Sequence, residues 1–276
     1  MRSLLLLAFL FLQTVAAWAL KPSREWVGTP DSLGLRYQTT ALTTPDHAQL
    51  TGWIVEPAAN VPDQHTTMVM AYGDMNNMSY FLWQARALSQ GGYRVYLFDY
   101  RGFGHSSSFA IERQRLYYSE FTTDLRTVLA DARQRYPRSR TGIIGFSMGT
   151  IMGSEVAARG GCDFLIAEGY VASPQRIVAE QFGRYQKTVT LPAEAADYAL
   201  VARRVHCPWL LVGGTGDHKT PLADSVLVAR QARWWQRRQV LSFEGDHQEG
   251  FYRLSEPEYG DKYVREVTRF LAGKRS

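Results

Sequence analysis

The stretch IIGFSMGT, residues 143–150, brings an apolar, strand-like run to an end at Gly145-Phe146-Ser147-Met148-Gly149, where a helix-like run begins. A G-x-S-x-G pentapeptide arises by chance in about one of every ten chains of this length, so its meaning depends on what surrounds it. A serine at a tight strand-to-helix turn holds a strained backbone that leaves no space for side chains two residues to either side. Gly145 and Gly149 leave that space, and the turn lifts the hydroxyl clear of the sheet. The same turn aims the amide of Met148, at the helix start, towards an oxyanion formed when the serine attacks a carbonyl.

Outward from this turn the pattern is regular. Residues 35–57 alternate apolar and polar on both sides of Thr44-Pro45-Asp46-His47, which predicts an antiparallel hairpin. Six short apolar runs rich in β-branched and aromatic residues follow, at 66–72, 93–100, 141–146, 163–169, 207–214 and 238–245. Helix-length segments lie between them, including 78–90, 117–135, 148–159 and 222–236, and a closing helix ends the chain. Continuous apolar strands alternating with helices predict a mostly parallel sheet covered on both faces. The expected fold is therefore α/β: eight strands, antiparallel at the start and parallel thereafter. Chemistry in such sheets gathers at the carboxyl ends of the parallel strands. Ser147 lies at one of those ends, as do Gly73-Asp74, Asp99, Asp217 and His247.

A serine hydroxyl needs an imidazole to take its proton and a carboxylate to orient that imidazole. Of the six histidines, His247 alone lies just beyond the last strand, downstream of both a serine and an acid, and it is the expected base. Asp217, in the glycine-rich turn of GGTGD (213–217), is the expected acid. Asp246 and Glu168 are rivals: the first is adjacent to the histidine in sequence, the second ends the preceding strand. The resulting order, serine then aspartate then histidine, is that of α/β-hydrolases. A second oxyanion donor is expected from the loop after the strand at 66–72, at the backbone amide of Asp74.

With these residues the chain from about residue 35 onward resembles the α/β-hydrolase superfamily. It is most similar to the branch of serine aminopeptidases, lysophospholipases and monoacylglycerol lipases. That branch shows Asp-x-Arg-Gly-x-Gly-x-Ser after the fourth strand, which stands here as Asp99-Tyr100-Arg101-Gly102-Phe103-Gly104-His105-Ser106 and shapes a loop beside the pocket. Two positions depart from the family pattern: Tyr72 replaces a histidine before the glycine, and Asp74 an asparagine after it. An inward carboxylate would oppose the developing oxyanion, so the Asp74 side chain is expected to point away.

The composition admits this reading. The 276 residues, 45% of them hydrophobic, suffice for one large domain. The formal charge is only +5, and no nucleic-acid partner is expected. The densest basic stretch, ARQARWWQRRQ at 229–239, reads as a solvated helix face with its tryptophans turned inward. Membrane contact through it is conceivable but not indicated. Arg2, the apolar run LLLLAFLFL and Ala17-Trp18-Ala19 read as a signal peptide over residues 1–19, with a single domain over 20–276. The protein is then secreted or periplasmic; an uncleaved anchor is the alternative. Cys162 and Cys207, the two cysteines, invite a disulfide in an exported protein, but each precedes an inner strand, where a free cysteine serves as a small hydrophobe.

Residues 170–206 are expected to form a small cap with two short helices over a fairly open pocket. Tyr72, Met75, Phe103 and Phe146 are expected to line its apolar wall. No spacing suggests a metal, a P-loop or a dinucleotide, so no cofactor is expected. The leading function is a secreted serine hydrolase that cleaves a small-molecule carboxylic ester or related acyl compound. A peptidase or amidase of the same branch and a non-catalytic binding protein of the same fold are the alternatives.

Overall fold

A computed structural model describes residues 19–273. Its centre is an eight-stranded sheet: β1 (Tyr37–Thr43), β2 (Gln49–Val55), β3 (Thr66–Ala71), β4 (Arg94–Phe98), β5 (Arg140–Phe146), β6 (Leu165–Glu168), β7 (Trp209–Gly214) and β8 (Arg238–Phe243). Their spatial order is β8-β7-β6-β5-β3-β4-β2-β1. The β1–β2 and β2–β4 pairs are antiparallel and the other five are parallel, with β3 between β4 and β5. The predicted hairpin and all six apolar runs supply these strands.

The burial of each strand follows its sequence. All residues of β3, β4, β6 and β7 are buried; a fully buried valine, leucine or isoleucine contributes roughly 1.5–3 kcal/mol. The edge strand β1, YQTTALT, alternates exposure and buries only Thr40 outright. Helices α1 (Leu82–Gln90), α2 (Ser119–Arg135), α3 (Met148–Ala157), α4 (Pro174–Tyr185), α5 (Val201–Arg204), α6 (Leu222–Arg230), α7 (Gly250–Arg253) and α8 (Asp261–Leu271) complete the chain. Helices cover both faces of the sheet; α2 packs on α3, and α1 on α8. The closing helix α8 turns Tyr263, Val264, Val267 and Phe270 inward.

Two features depart from the sequence reading. The helix expected over 222–236 stops at Arg230. In the turn that follows, Gln236 is buried, accepts the Arg233 amide at 3.0 Å and donates to the Arg203 and Val205 carbonyls at 3.2 and 2.9 Å. With Gln236 in the inward position, the expected inward tryptophans are displaced: Trp234 is 92% exposed and Trp235 48%. Second, Lys21–Pro22 forms a short parallel pair with Met75–Asn76, straight after the expected cleavage site. Cys162 and Cys207, for which the sequence left both readings open, are free, their sulfurs 3.9 Å apart at the entries to β6 and β7. The expected signal peptide lies, up to residue 18, outside the described residues.

Candidate active site

Ser147 stands between β5 and α3 with φ 49° and ψ −118°, a conformation that costs an L-residue on the order of 1–3 kcal/mol. The surrounding structure holds it there. The Ser147 amide donates to the Glu168 carbonyl at 3.0 Å. The Thr150 hydroxyl donates to the Ser147 carbonyl at 2.6 Å and accepts the Val171 amide at 3.0 Å. The need for Gly149 is steric: a Cβ there would lie 1.9 Å from the Ala71 carbonyl oxygen.

The residues read from chain order converge. Ser147 Oγ is 2.9 Å from His247 Nε2, and His247 Nδ1 is 2.8 Å from Asp217 Oδ2. An ionised carboxylate only accepts, so Nδ1 carries the hydrogen and Nε2 is left to accept from the serine hydroxyl. Asp217 is held from every side. Its Oδ1 accepts the Lys219 and Thr220 amides, each at 2.9 Å, and its Oδ2 also accepts the Thr220 hydroxyl at 2.6 Å. Burial would raise its carboxyl, but the His247 ring and Thr220 outweigh it and hold it at about 2. Gly169, at φ 64°, leaves room for the imidazole: a Cβ would lie 2.9 Å from His247 Cε1.

The rival acids serve elsewhere. The Asp246 carboxylate accepts the His247 amide at 2.7 Å. Glu168 is buried, and its Oε1 accepts the Gly250 amide at 2.7 Å, just beyond His247. The buried Tyr263 hydroxyl is the other polar neighbour of this carboxyl. Burial pushes the Glu168 carboxyl up to about 7, the Gly250 amide pulling the other way.

The hydroxyl faces a cavity of about 740 Å³, within the range of small-molecule sites. Phe81, Leu116, Met148, Ile151, Val171 and Ile177 give it an apolar wall, and Glu180, Arg184 and Lys219 a charged margin. Of the four residues expected on the wall, Met75 lines the cavity. The other three belong to the core: Tyr72 and Phe103 are wholly buried and Phe146 is 2% exposed. Aromatic packing takes them there, Tyr72 lying against Tyr100 and Phe103 at 4.8 and 5.8 Å, and Phe146 against Phe81 at 5.4 Å.

Asp74, half-buried, lines the cavity. Burial pushes its carboxyl above the ordinary value, with its own amide among the groups pulling down. The amides of Met148, at the first position of α3, and Asp74 flank the serine; a Cβ on Gly73 would be 3.6 Å from that of Ser147.

Sequence reading missed the strap that fixes this loop. Lys21 N donates to the Asp74 carbonyl at 2.8 Å and Ser23 N to that of Asn76 at 3.0 Å. Asn77 Nδ2 reaches the Ser23 and Glu25 carbonyls at 3.2 and 2.6 Å. Buried Asp99 joins three segments, accepting from the Trp26 indole at 2.8 Å, the Met78 amide at 2.9 Å and the His105 amide at 3.0 Å. Thr150 and Thr220 were missed as well, since a hydroxyl in a turn carries no sequence signal of its own.

Known proteins share this architecture. The esterase Pf2001 of Pyrococcus furiosus superposes with a TM-score of 0.74 at 18% identity, over 95% of this chain and all of that one. The acylaminoacyl peptidase of Pyrococcus horikoshii gives 0.59 at 15% identity, over 86% of this chain and 41% of that one. The model of the serine aminopeptidase S33 family matches residues 62–173. The chain has the α/β-hydrolase fold. It is also 25% identical over 251 residues to the uncharacterised protein YfhR of Salmonella typhi, covering 86% of this chain and 83% of that one. The branch resemblance read from the motifs and the family match thus agree, and the match spans the fourth-strand motif and the serine turn.

Proposed function

We propose that this hydrolase cleaves a carboxylic ester or related acyl compound through an acyl-enzyme on Ser147. The observation that carries the reading is the unbroken hydrogen-bonded line from Ser147 through His247 to Asp217, opening on a largely apolar cavity. His247 Nε2 takes the hydroxyl proton as Oγ bonds to the acyl carbon, and the Met148 and Asp74 amides receive the oxyanion. The imidazolium, steadied by Asp217, then gives that proton to the leaving oxygen as the acyl–oxygen bond breaks. Water repeats the sequence on the acyl-enzyme and returns free Ser147.

A fluorophosphonate probe tests the assembly: it labels Ser147 in the wild type and nothing in Ser147→Ala, which also loses ester turnover while keeping its thermal stability. A wild type that resists labelling favours a non-catalytic binding protein. A second reading, a peptidase or amidase, draws on the Asp74 carboxyl at the cavity, which suits a substrate bearing an amine. Comparing p-nitrophenyl esters of increasing chain length with aminoacyl amides separates the two. Export rests on residues 1–19, and N-terminal sequencing of exported protein is expected to start near Leu20.

A further inference from the structure

The turn after α6 carries an exposed indole pair among unpaired cations. Trp234 and Trp235 meet edge to face, centroids 5.3 Å apart at 89°, and Leu227, 55% exposed, adds aliphatic surface one turn earlier on α6. Arg230, Arg233 and, from α5, Arg203 and Arg204 are exposed. None of these four has an ion-pair partner among the described residues. Neither residues 201–211 nor 226–243 contain an acidic side chain. The arrangement is built rather than frayed: buried Gln236 ties the turn to the α5 segment through the Arg203 and Val205 carbonyls, and Arg238 donates to the Val228 and Ala202 carbonyls.

We propose that this corner docks on an anionic bilayer surface. The guanidiniums complement lipid phosphates, at about 1 kcal/mol, or about fivefold in affinity, for each basic residue near the surface. Indoles favour the headgroup zone, where the ring is withdrawn from water and its N–H stays hydrated. Leu227 requires an apolar phase beside the phosphates, which a nucleic acid does not offer. The edge-to-face indoles also present no parallel platform on which successive bases stack. The corner lies at the amino ends of β7 and β8, whereas Ser147, Asp217 and His247 lie at the carboxyl ends of their strands. Docking there leaves the cavity facing away from the bilayer.

The test is co-sedimentation of the full-chain protein with vesicles of equal parts phosphatidylcholine and phosphatidylglycerol, and with phosphatidylcholine vesicles alone. Trp234→Ser is expected to weaken anionic-vesicle binding about tenfold, the effect of returning some 55 Å² of ring to water. Arg230→Gln with Arg233→Gln is expected to weaken it about 25-fold, and salt to weaken wild-type binding. Ester turnover, measured on soluble substrate, stays at the wild-type rate in both variants and reports that they are folded. The apolar N-terminal stretch is common to every chain compared, so any difference belongs to the corner. Equal binding by wild type and both variants, equal binding to the two vesicle types, or tighter wild-type binding to a single-stranded oligonucleotide would each overturn the proposal.

Discussion

At the scale of single residues, Asp217 and Glu168 show how two acids near one histidine take different parts. Asp217 is fixed by four hydrogen bonds and held ionised, so Asp217→Asn, which removes the anion that sets the imidazole tautomer, is expected to lower kcat on the order of 10⁴-fold, as in serine proteases. A larger loss from Asp246→Asn would transfer the role to that residue. Glu168 has a folded-state pKa above its ordinary 4.5. Its contribution to stability is therefore complete below about 4.5 and is lost as pH rises through about 7, at no more than about 1.4 kcal/mol per pH unit. Thermal denaturation from pH 5 to 8 is expected to show a falling Tm in the wild type and a flatter profile in Glu168→Gln; parallel profiles would refute it. With Asp74 at the cavity, Asp74→Asn is expected to raise kcat by a few-fold or leave it little changed, because the amide donor persists and any opposing charge goes. A loss of 10²-fold or more, the cost of an oxyanion donor, would mean that the carboxylate itself is required. The three residues of the relay were legible because each ends a strand in a fixed chain order. Thr150 and Thr220 were not, since a hydroxyl in a turn carries no sequence signal of its own.

At the scale of elements, the periodicity of the strands carried most of the information. Eight runs became eight strands, and the parallel ones were readable because burial on both faces leaves them continuously apolar. What periodicity could not give was the strap, where two residues pair with two others 54 positions away through main-chain groups alone. Main-chain hydrogen bonds have no residue signature. Nor did the tryptophans of the α6 turn reveal their direction, which depends on one buried glutamine. The strap yields its own prediction. Ser23→Pro removes the amide that reaches Asn76 and loosens the loop that supplies the Asp74 donor. An expected fall in kcat of about tenfold or more, with KM little moved, falls short of the 10²–10³ of outright donor loss. Steady-state kinetics on an ester check it, and an unchanged kcat would make the strap a passive edge.

At the scale of the whole molecule, the active-site cavity is a meeting place of distant parts of the chain: the nucleophile and base are 100 residues apart. The first described residue, Ala19, lines the same cavity, and Leu20 behind it is wholly buried. The far end of the chain is elsewhere: Leu271, closing α8, accepts from Arg140 at the start of β5, below the sheet end that bears the serine. The two termini are thus unequal as handles. A bulky reporter joined directly ahead of Leu20, the expected first residue of the exported protein, crowds the doorway and is expected to raise KM for long-chain esters at least severalfold, whereas the same reporter after Ser276 leaves it alone. Equal kinetics from the two fusions would refute this. For anyone fixing the protein to a bead or an electrode, the leash belongs on the tail.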